Sequence, residues 1–246
     1  MATHFVYPYI IPKNKKFGWE LIYSIRSIHK NFVGDFDITV VGDIPEWINH
    51  DVINCVELKN NHKYPRVQSR TNEKLLSVAN NFKDVVFMHD DYYLIQKCSI
   101  DDFKTIKYLE HIRFNGLETK LNRYRTQIRH TYFLLKELKA RYDVNFCTHT
   151  PFYFETDKLF ELHRIFNLTS AGEYTIILEN AYYNYFNVPY IHIGDFRAGF
   201  WNVSNDKSQI YKAKILNHDE RGFLAHQWIY TYLQTLFPDK CSAEIL

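Results

Sequence analysis

The chain predicts an α/β fold: a mostly parallel sheet flanked by helices, carrying a basic helical insertion. Three observations predict it. Short β-branched and aromatic runs alternate with segments whose apolar residues recur at helical spacing. One run, Val85 to Met88, is followed closely by two adjacent carboxylates, Asp90 and Asp91. Charge is also uneven: Lys104 to Arg141 holds ten Lys and Arg against three Glu, in a chain of formal net charge +2.

The elements follow in order. Phe5 to Ile10 predicts a first strand with Pro8 near its end. Leu21, Ile22, Ile25, Ile28 and Phe32 predict a helix over Trp19–Phe32. Asp37 to Val41 predicts a second strand that ends at Gly42-Asp43, and Pro45 to Ile48 a short helical turn. Val52 to Leu58 predicts a third strand. Leu75, Leu76 and Val78 predict a helix from Asn72 to Asn80, followed by a strand from Asp84 to Met88. That order favours parallel pairing through helical crossovers. The basic segment, residues 104–142, reads as mostly helical, with Leu134, Leu135 and Leu138 as its apolar stripe. Tyr190–Ile193 predicts a short strand; Asp157–Phe166 and Gly222–Phe237 predict helices.

At 246 residues, 46% hydrophobic and 17% aromatic, the chain suits one domain spanning 1–246. Only 8 glycines occur, and neither glycine-rich phosphate-loop pattern is present. No apolar stretch approaches a membrane span. Lys13, Lys15 and Lys16 interrupt the region where a secretory signal would lie, so the expected location is cytoplasmic. Cys55, Cys98, Cys147 and Cys241 form no paired motif and read as reduced thiols. Asn167 and Asn202 head glycosylation patterns that carry no meaning without secretion.

Two neighbouring carboxylates repel unless a cation sits between them. At the end of a strand in an open α/β sheet, the expected cation is Mg²⁺ or Mn²⁺ carrying a nucleotide diphosphate. The plain alternative is a solvated turn with Asp91 capping a helix.

Several segments together resemble one family. Trp19-Glu20-Leu21-Ile22-Tyr23-Ser24-Ile25-Arg26-Ser27-Ile28 is similar to the E-L-R-Y-S-L-R-S-I segment of the Stealth-type capsular sugar-phosphate transferases and their phage-encoded glycosyltransferase-like relatives. Val40 to Trp47 resembles their strand-loop ending in P-x-W. His89-Asp90-Asp91-Tyr92-Tyr93-Leu94 resembles N-D-D-[FY]-F-x-L, His149-Thr150-Pro151 resembles H-x-P, and Leu236 to Glu244 resembles the terminal F-P-x-x-S-x-[YF]-E. The segments run in family order along nearly the whole chain. The departures are the opening His4 to Ile10, His89 in place of asparagine, and Ala243 in place of an aromatic residue. The opening difference favours the plainer glycosyltransferases over sugar-phosphate transfer. The resemblance implies a GT-A-like (Rossmann-like) fold, a nucleotide diphosphate sugar as donor, and Mn²⁺ or Mg²⁺.

Asp91 is the expected direct metal ligand. Asp90 is expected close by, on the metal or on ribose and sugar hydroxyls. His89 is either a ligand or a hydrogen-bonded core residue. Arg26, Arg70 and Lys74 are expected phosphate contacts, against the alternative of a solvated helix edge for the last two. Gly42 and Asp43 are expected at the nucleoside. The resemblance places His149 in the site, where imidazole suits proton transfer; a core histidine is the alternative. Asp195 and Asp206, near Arg197 and Asn205, are the leading choices for a base or second ligand, with Glu173 and Glu179 weaker. Lys120, Arg123, Arg125, Arg129 and His130, interleaved with Tyr124 and Tyr132, suit a phosphate backbone. With the Lys/Asn/Ile/Tyr-rich composition of an AT-rich genome, they suggest hydroxymethyl-pyrimidine in phage duplex DNA as acceptor. The alternatives are a solvated face or an anionic glycan. Sugar-1-phosphate transfer to a capsular or cell-wall glycan, and a non-catalytic polyanion- or nucleotide-binding module, are the competing functions.

Overall fold

The computed structural model describes residues 2–11, 19–59, 67–112, 123–169, 175–200, 207–218 and 228–245. Its main sheet has five strands: β1 (Thr3–Tyr9), β2 (Phe36–Gly42), β3 (Asn54–Glu57), β4 (Asp84–Phe87) and β9 (Phe152–Glu155). Their order is β3-β2-β1-β4-β9. The first four are parallel, and β9 runs antiparallel to β4. Phe5, Val6, Val40, Val41, Val85 and Val86 are buried, as expected for strands covered on both faces. The expected α/β sheet is present, with each predicted strand end within about two residues.

Helix α1 (Trp19–Asn31) packs Leu21, Ile25 and Ile28 into the core. Its polar side also has a structural job. Ser24 Oγ donates to the carbonyl of Tyr92 at 2.6 Å, and Ser27 Oγ accepts the Leu94 amide at 2.9 Å. Asn31 Nδ2 donates to the Leu94 carbonyl at 2.6 Å. These side chains satisfy one edge of β5 (Tyr92–Leu94) in place of a neighbouring strand. The other edge of β5 pairs antiparallel with β12 (Ile215–His218), which pairs parallel with β11 (Arg197–Phe200). Helix α7 (Trp228–Leu236) closes a second apolar cluster against this small sheet through Ile229 and Leu233.

Helix α2 (Val67–Ala79) begins five residues before the predicted start. The basic segment departs further from expectation. After α3 (Ile100–Lys104) it enters β6 (Lys107–Tyr108) and β7 (Glu110–His111) before α4 (Arg123–Glu137). β6 pairs with β10 (Ile191–His192) and β7 with β8 (Val144–Asn145), partners too distant in sequence for periodicity to reveal. Two of its cations are structural. Lys107 is buried, donates to the carbonyls of Asp102 and Thr105, and lies 3.9 Å over the Phe196 ring. Arg141 donates to the carbonyls of Tyr183 at 2.5 Å and Val188 at 3.1 Å. The apolar stripe of α4 also differs from Leu134, Leu135 and Leu138. The buried face is Ile128, Tyr132 and Leu135. Leu138 falls at the helix end, beside Lys139 in the left-handed region (φ 55°), and is exposed. α4 packs on α6 (Leu178–Tyr185), and α6 on α5 (Thr156–Phe166). Within the described residues the segment contributes Lys107, Ile128, Tyr132 and Leu135 to the buried interior.

Candidate active site

Chain direction places the site. From β1 the chain moves outward through β2 and β3, then returns to lay β4 on the other side of β1. The carboxyl ends of β1 and β4 thus form the switch point where α/β sheets bind ligands. His89, Asp90 and Asp91 leave β4 at this point, and the turn closes with Tyr92 N donating to the His89 carbonyl at 3.3 Å. Asp91 belongs to this turn, which leads straight into β5, so it caps no helix.

Asp91 opens on a cleft of about 290 Å³, lined also by Gln68, His89, Tyr92, Tyr124, Gln127, Cys147, His149, Ile177 and Glu179. Burial, with a lesser contribution from the Asp90 charge, raises the pKa of Tyr7 and Tyr9 on β1. Asp91 lines the cleft, and Asp90, next to it in the same turn, does not.

Both histidines line the cleft and are partly buried. His89 stands edge-on to Phe87 at 4.8 Å, and burial lowers its pKa to about 4. Burial, then Arg197 and His89, lowers that of His149 to about 3. Burial favours the neutral form of both rings, which leaves them available as hydrogen-bond partners. His149 has φ 52° in a segment held by Thr148 N donating to Phe146 O at 2.7 Å and Arg197 Nη1 donating to Thr148 O at 2.6 Å. A non-glycine residue held there is a strain that functional sites often retain.

Three expected nucleotide contacts converge at the ends of β1 and β2. Lys74 is buried and donates through Nζ to the Tyr9 carbonyl at 2.7 Å. Burial lowers its pKa to about 8, opposed by Asp43. Asp43 N donates to the same carbonyl at 3.1 Å, and its carboxylate accepts the Ile11 amide at 2.9 Å. Gly42 has φ 122°, and a Cβ there would overlap the Tyr9 carbonyl oxygen and lie 2.5 Å from Lys74 Nζ. Glycine is required here by backbone and by space. Arg70, one turn before Lys74, keeps Nε shielded from water with no hydrogen-bond partner among the described residues.

Other expected residues lie elsewhere. Arg26 has its anion within the chain. Nε and Nη2 each donate to the Glu244 carboxylate at 2.7 Å, and Nη1 donates to the Phe237 carbonyl at 2.9 Å. That geometry replaces the expected phosphate contact with a tie between α1 and the chain's last residues. Asp195 is largely exposed on a 3₁₀ turn, 4.0 Å from Lys212, and does not line the cleft. Arg125 and Arg129 are exposed on α4 and do not line it either. Asp206, Asn205, Glu173 and Lys120 lie outside the described residues, as does the Arg123 side chain.

Glu179, only a weak candidate from sequence, stands in the cleft wall. It hydrogen-bonds to Cys147, whose sulfur also accepts from Asn180 Nδ2 at 3.4 Å. Tyr124 hydrogen-bonds to Cys147 and Asn145 and lines the cleft. Burial raises the Glu179 pKa, partly offset by the thiol and by the backbone amide at its helix start. No sequence signal marks this network beyond polar residues in the aromatic run Leu178 to Tyr185.

Among the described residues no three His, Cys, Asp or Glu side chains form a ready-made metal cage. The donor set still fits a hard cation brought by its substrate. Mg²⁺ and Mn²⁺ bind through one or two carboxylates, with phosphate oxygens and water completing the shell. Asp91, half-exposed at the cleft with Asp90 beside it, meets that requirement.

No helix among the described residues is long and apolar enough to cross a membrane. No family model matches the chain, and no curated protein does. Solved structures do match its fold. One is the bifunctional glycosyltransferase WbbM in its apo form, with a TM-score of 0.54 at 12% identity over 97% of this chain. The match takes in 50% of the WbbM chain, so this chain spans about half of that protein's length. The chain thus has a mostly parallel, GT-A-like α/β fold that it shares with a glycosyltransferase.

Proposed function

We propose that the protein transfers a sugar from a nucleotide diphosphate sugar to a hydroxyl acceptor. One observation carries the reading. On a fold shared with a glycosyltransferase, adjacent carboxylates emerge at the β1/β4 switch point, and one opens into a cleft of about 290 Å³. Asp91, with Asp90, would hold Mg²⁺ or Mn²⁺, which supplies Lewis-acid neutralisation of the leaving diphosphate. Lys74 and Arg70 add positive charge at the ends of β1 and β2, and Asp43 offers a carboxylate to nucleoside hydroxyls. His89 and His149, both neutral, accept or donate hydrogen bonds to sugar hydroxyls without adding charge.

The test is a thermal-shift screen of nucleotide sugars with and without Mn²⁺. A donor at a hundred times its Kd stabilises by about 2.7 kcal/mol. Asp91→Asn should remove the Mn²⁺-dependent part of that shift. If no nucleotide sugar raises the melting temperature of the unaltered protein, the transferase reading fails and a binding module of another kind takes its place. Product analysis separates sugar-1-phosphate transfer, which releases a nucleoside monophosphate rather than a diphosphate.

For the acceptor, one observation favours a polyanion. Arg125, Arg129 and Lys136 are exposed along α4, the helix that also brings Tyr124 and Gln127 to the cleft. Duplex DNA gripped there would bind with a steep salt dependence, and a target base would have to leave the stack to reach the cleft. Affinity that does not change between low and physiological salt would remove DNA as the acceptor.

A further inference from the structure

We infer that Glu179 is the catalytic base, taking the proton of the acceptor hydroxyl from the cleft wall it shares with Asp91. The inference rests on the transferase reading and adds the residue and stereochemistry that reading lacks.

The cleft offers few groups for this task. Among its described lining residues, the titratable side chains are His89, Asp91, Tyr92, Tyr124, Cys147, His149 and Glu179. Asp91 is committed to the cation. His89 stands edge-on to the Phe87 ring, and His149 sits in a left-handed segment fixed by Arg197, so both are placed as parts of the wall. Tyr92 and Tyr124 are phenols and Cys147 a thiol, protonated near neutral pH by their ordinary chemistry, and Tyr124 and Cys147 are hydrogen-bonded to each other. Asp195, a leading choice from sequence, is not in the wall. Glu179 remains, and its position is built. It occupies the first turn of α6, beside Asn180, whose Oδ1 accepts the Phe146 amide at 2.5 Å. The Cys147 thiol hydrogen-bonds to it, and Cys147 N is in turn fixed by Asn145 Oδ1 at 3.0 Å. The groups facing it are Tyr124 and Tyr132 from α4, Cys147 and His149 from the 146–151 segment, Tyr92 from β5, and Tyr183 from its own helix. Arg197 is the cation acting on His149, Tyr92 and Tyr124. Burial lifts Glu179 above the usual carboxylate value, toward neutrality, where a general base works best.

The step balances without another reactant. As the acceptor oxygen bonds to the anomeric carbon, its proton passes to the Glu179 carboxylate. The bond from that carbon to the diphosphate breaks, and its electron pair leaves on the diphosphate oxygen. Attack opposite the leaving group inverts the anomeric centre.

The experiment compares wild type, Glu179→Gln and Cys147→Ser with whichever donor the thermal-shift screen identifies. Expected for Glu179→Gln is an unchanged donor-induced melting shift, a kcat lower by about 10²–10⁴-fold, and loss of the acid limb of the pH–kcat profile. In wild type that limb should lie above the ordinary 4.5. Cys147→Ser, which alters the hydrogen bond to Glu179, should move the limb. The product from wild type should have inverted configuration. A Glu179→Gln enzyme within about threefold of wild type, a persisting acid limb or a retained configuration overturns the assignment alone. If the unaltered protein binds no nucleotide sugar, the transferase reading and the assignment fall together.

Discussion

The Arg26–Glu244 pair joins positions 218 residues apart and gives a prediction with a calculable size. Both side chains are largely buried, at 12% and 6% exposed. The guanidinium makes two parallel hydrogen bonds to the carboxylate and a third to the Phe237 carbonyl at 2.9 Å, while Glu244 also accepts the Cys241 amide at 3.0 Å. Removing one partner leaves the other charge buried without compensation, at a cost of about 3–5 kcal/mol. For a chain of this size each kcal/mol moves the melting temperature by about 2–4 °C, so Glu244→Ala should lower it by about 6–20 °C. The double variant Arg26→Ala/Glu244→Ala should lose clearly less than the sum of the singles, because neither charge is then stranded. Thermal melts by circular dichroism at neutral pH read all three. The pH dependence has a definite sign. Burial pushes Glu244 up, but the hydrogen bonds and charge of Arg26 outweigh it and the folded pKa is lowered. This stabilisation is therefore fully present above the ordinary 4.5 and disappears as pH falls through the lower folded value. Additive losses in the three variants would mean the pair is a surface tie of little worth, and would return Arg26 to the pool of residues open to a ligand.

Two further predictions concern backbone. Gly42→Ala must accept φ 122° and displace Lys74, at about 1–3 kcal/mol for the strain and about 1–3 for the lost hydrogen bond; a melting temperature within 2 °C of wild type would contradict the packing described. His149→Gly relieves a left-handed residue and should leave stability within about 1 kcal/mol of wild type, whereas the β-branched His149→Val should destabilise clearly. Urea titrations compare the two, and equal stabilities would speak against the positive φ.

What the sequence revealed and what it hid follow from how far each signal reaches along the chain. The sheet was legible because β1, β2 and β4 are buried on both faces, so each is a short apolar run whose identity is local. The carboxylate pair was legible for the same reason: it directly follows such a run, and topology alone then carries it to the switch point. Lys74 and Gly42 could be named as candidates, but their meeting at the Tyr9 carbonyl depends on α2 crossing the ends of β1 and β2. Arg26 shows the converse. Its place in an apolar helix demanded an anion, which the sequence reading took to be a phosphate; only the fold brings Glu244 to it. Glu179 was the least legible. Its environment is assembled from α4, the 146–151 segment, β5 and α6, four pieces that meet only in three dimensions. A burial shift is a property of that assembly rather than of the residue, so the carboxylate proposed here as the base is one that a reading along the chain had least means to rank.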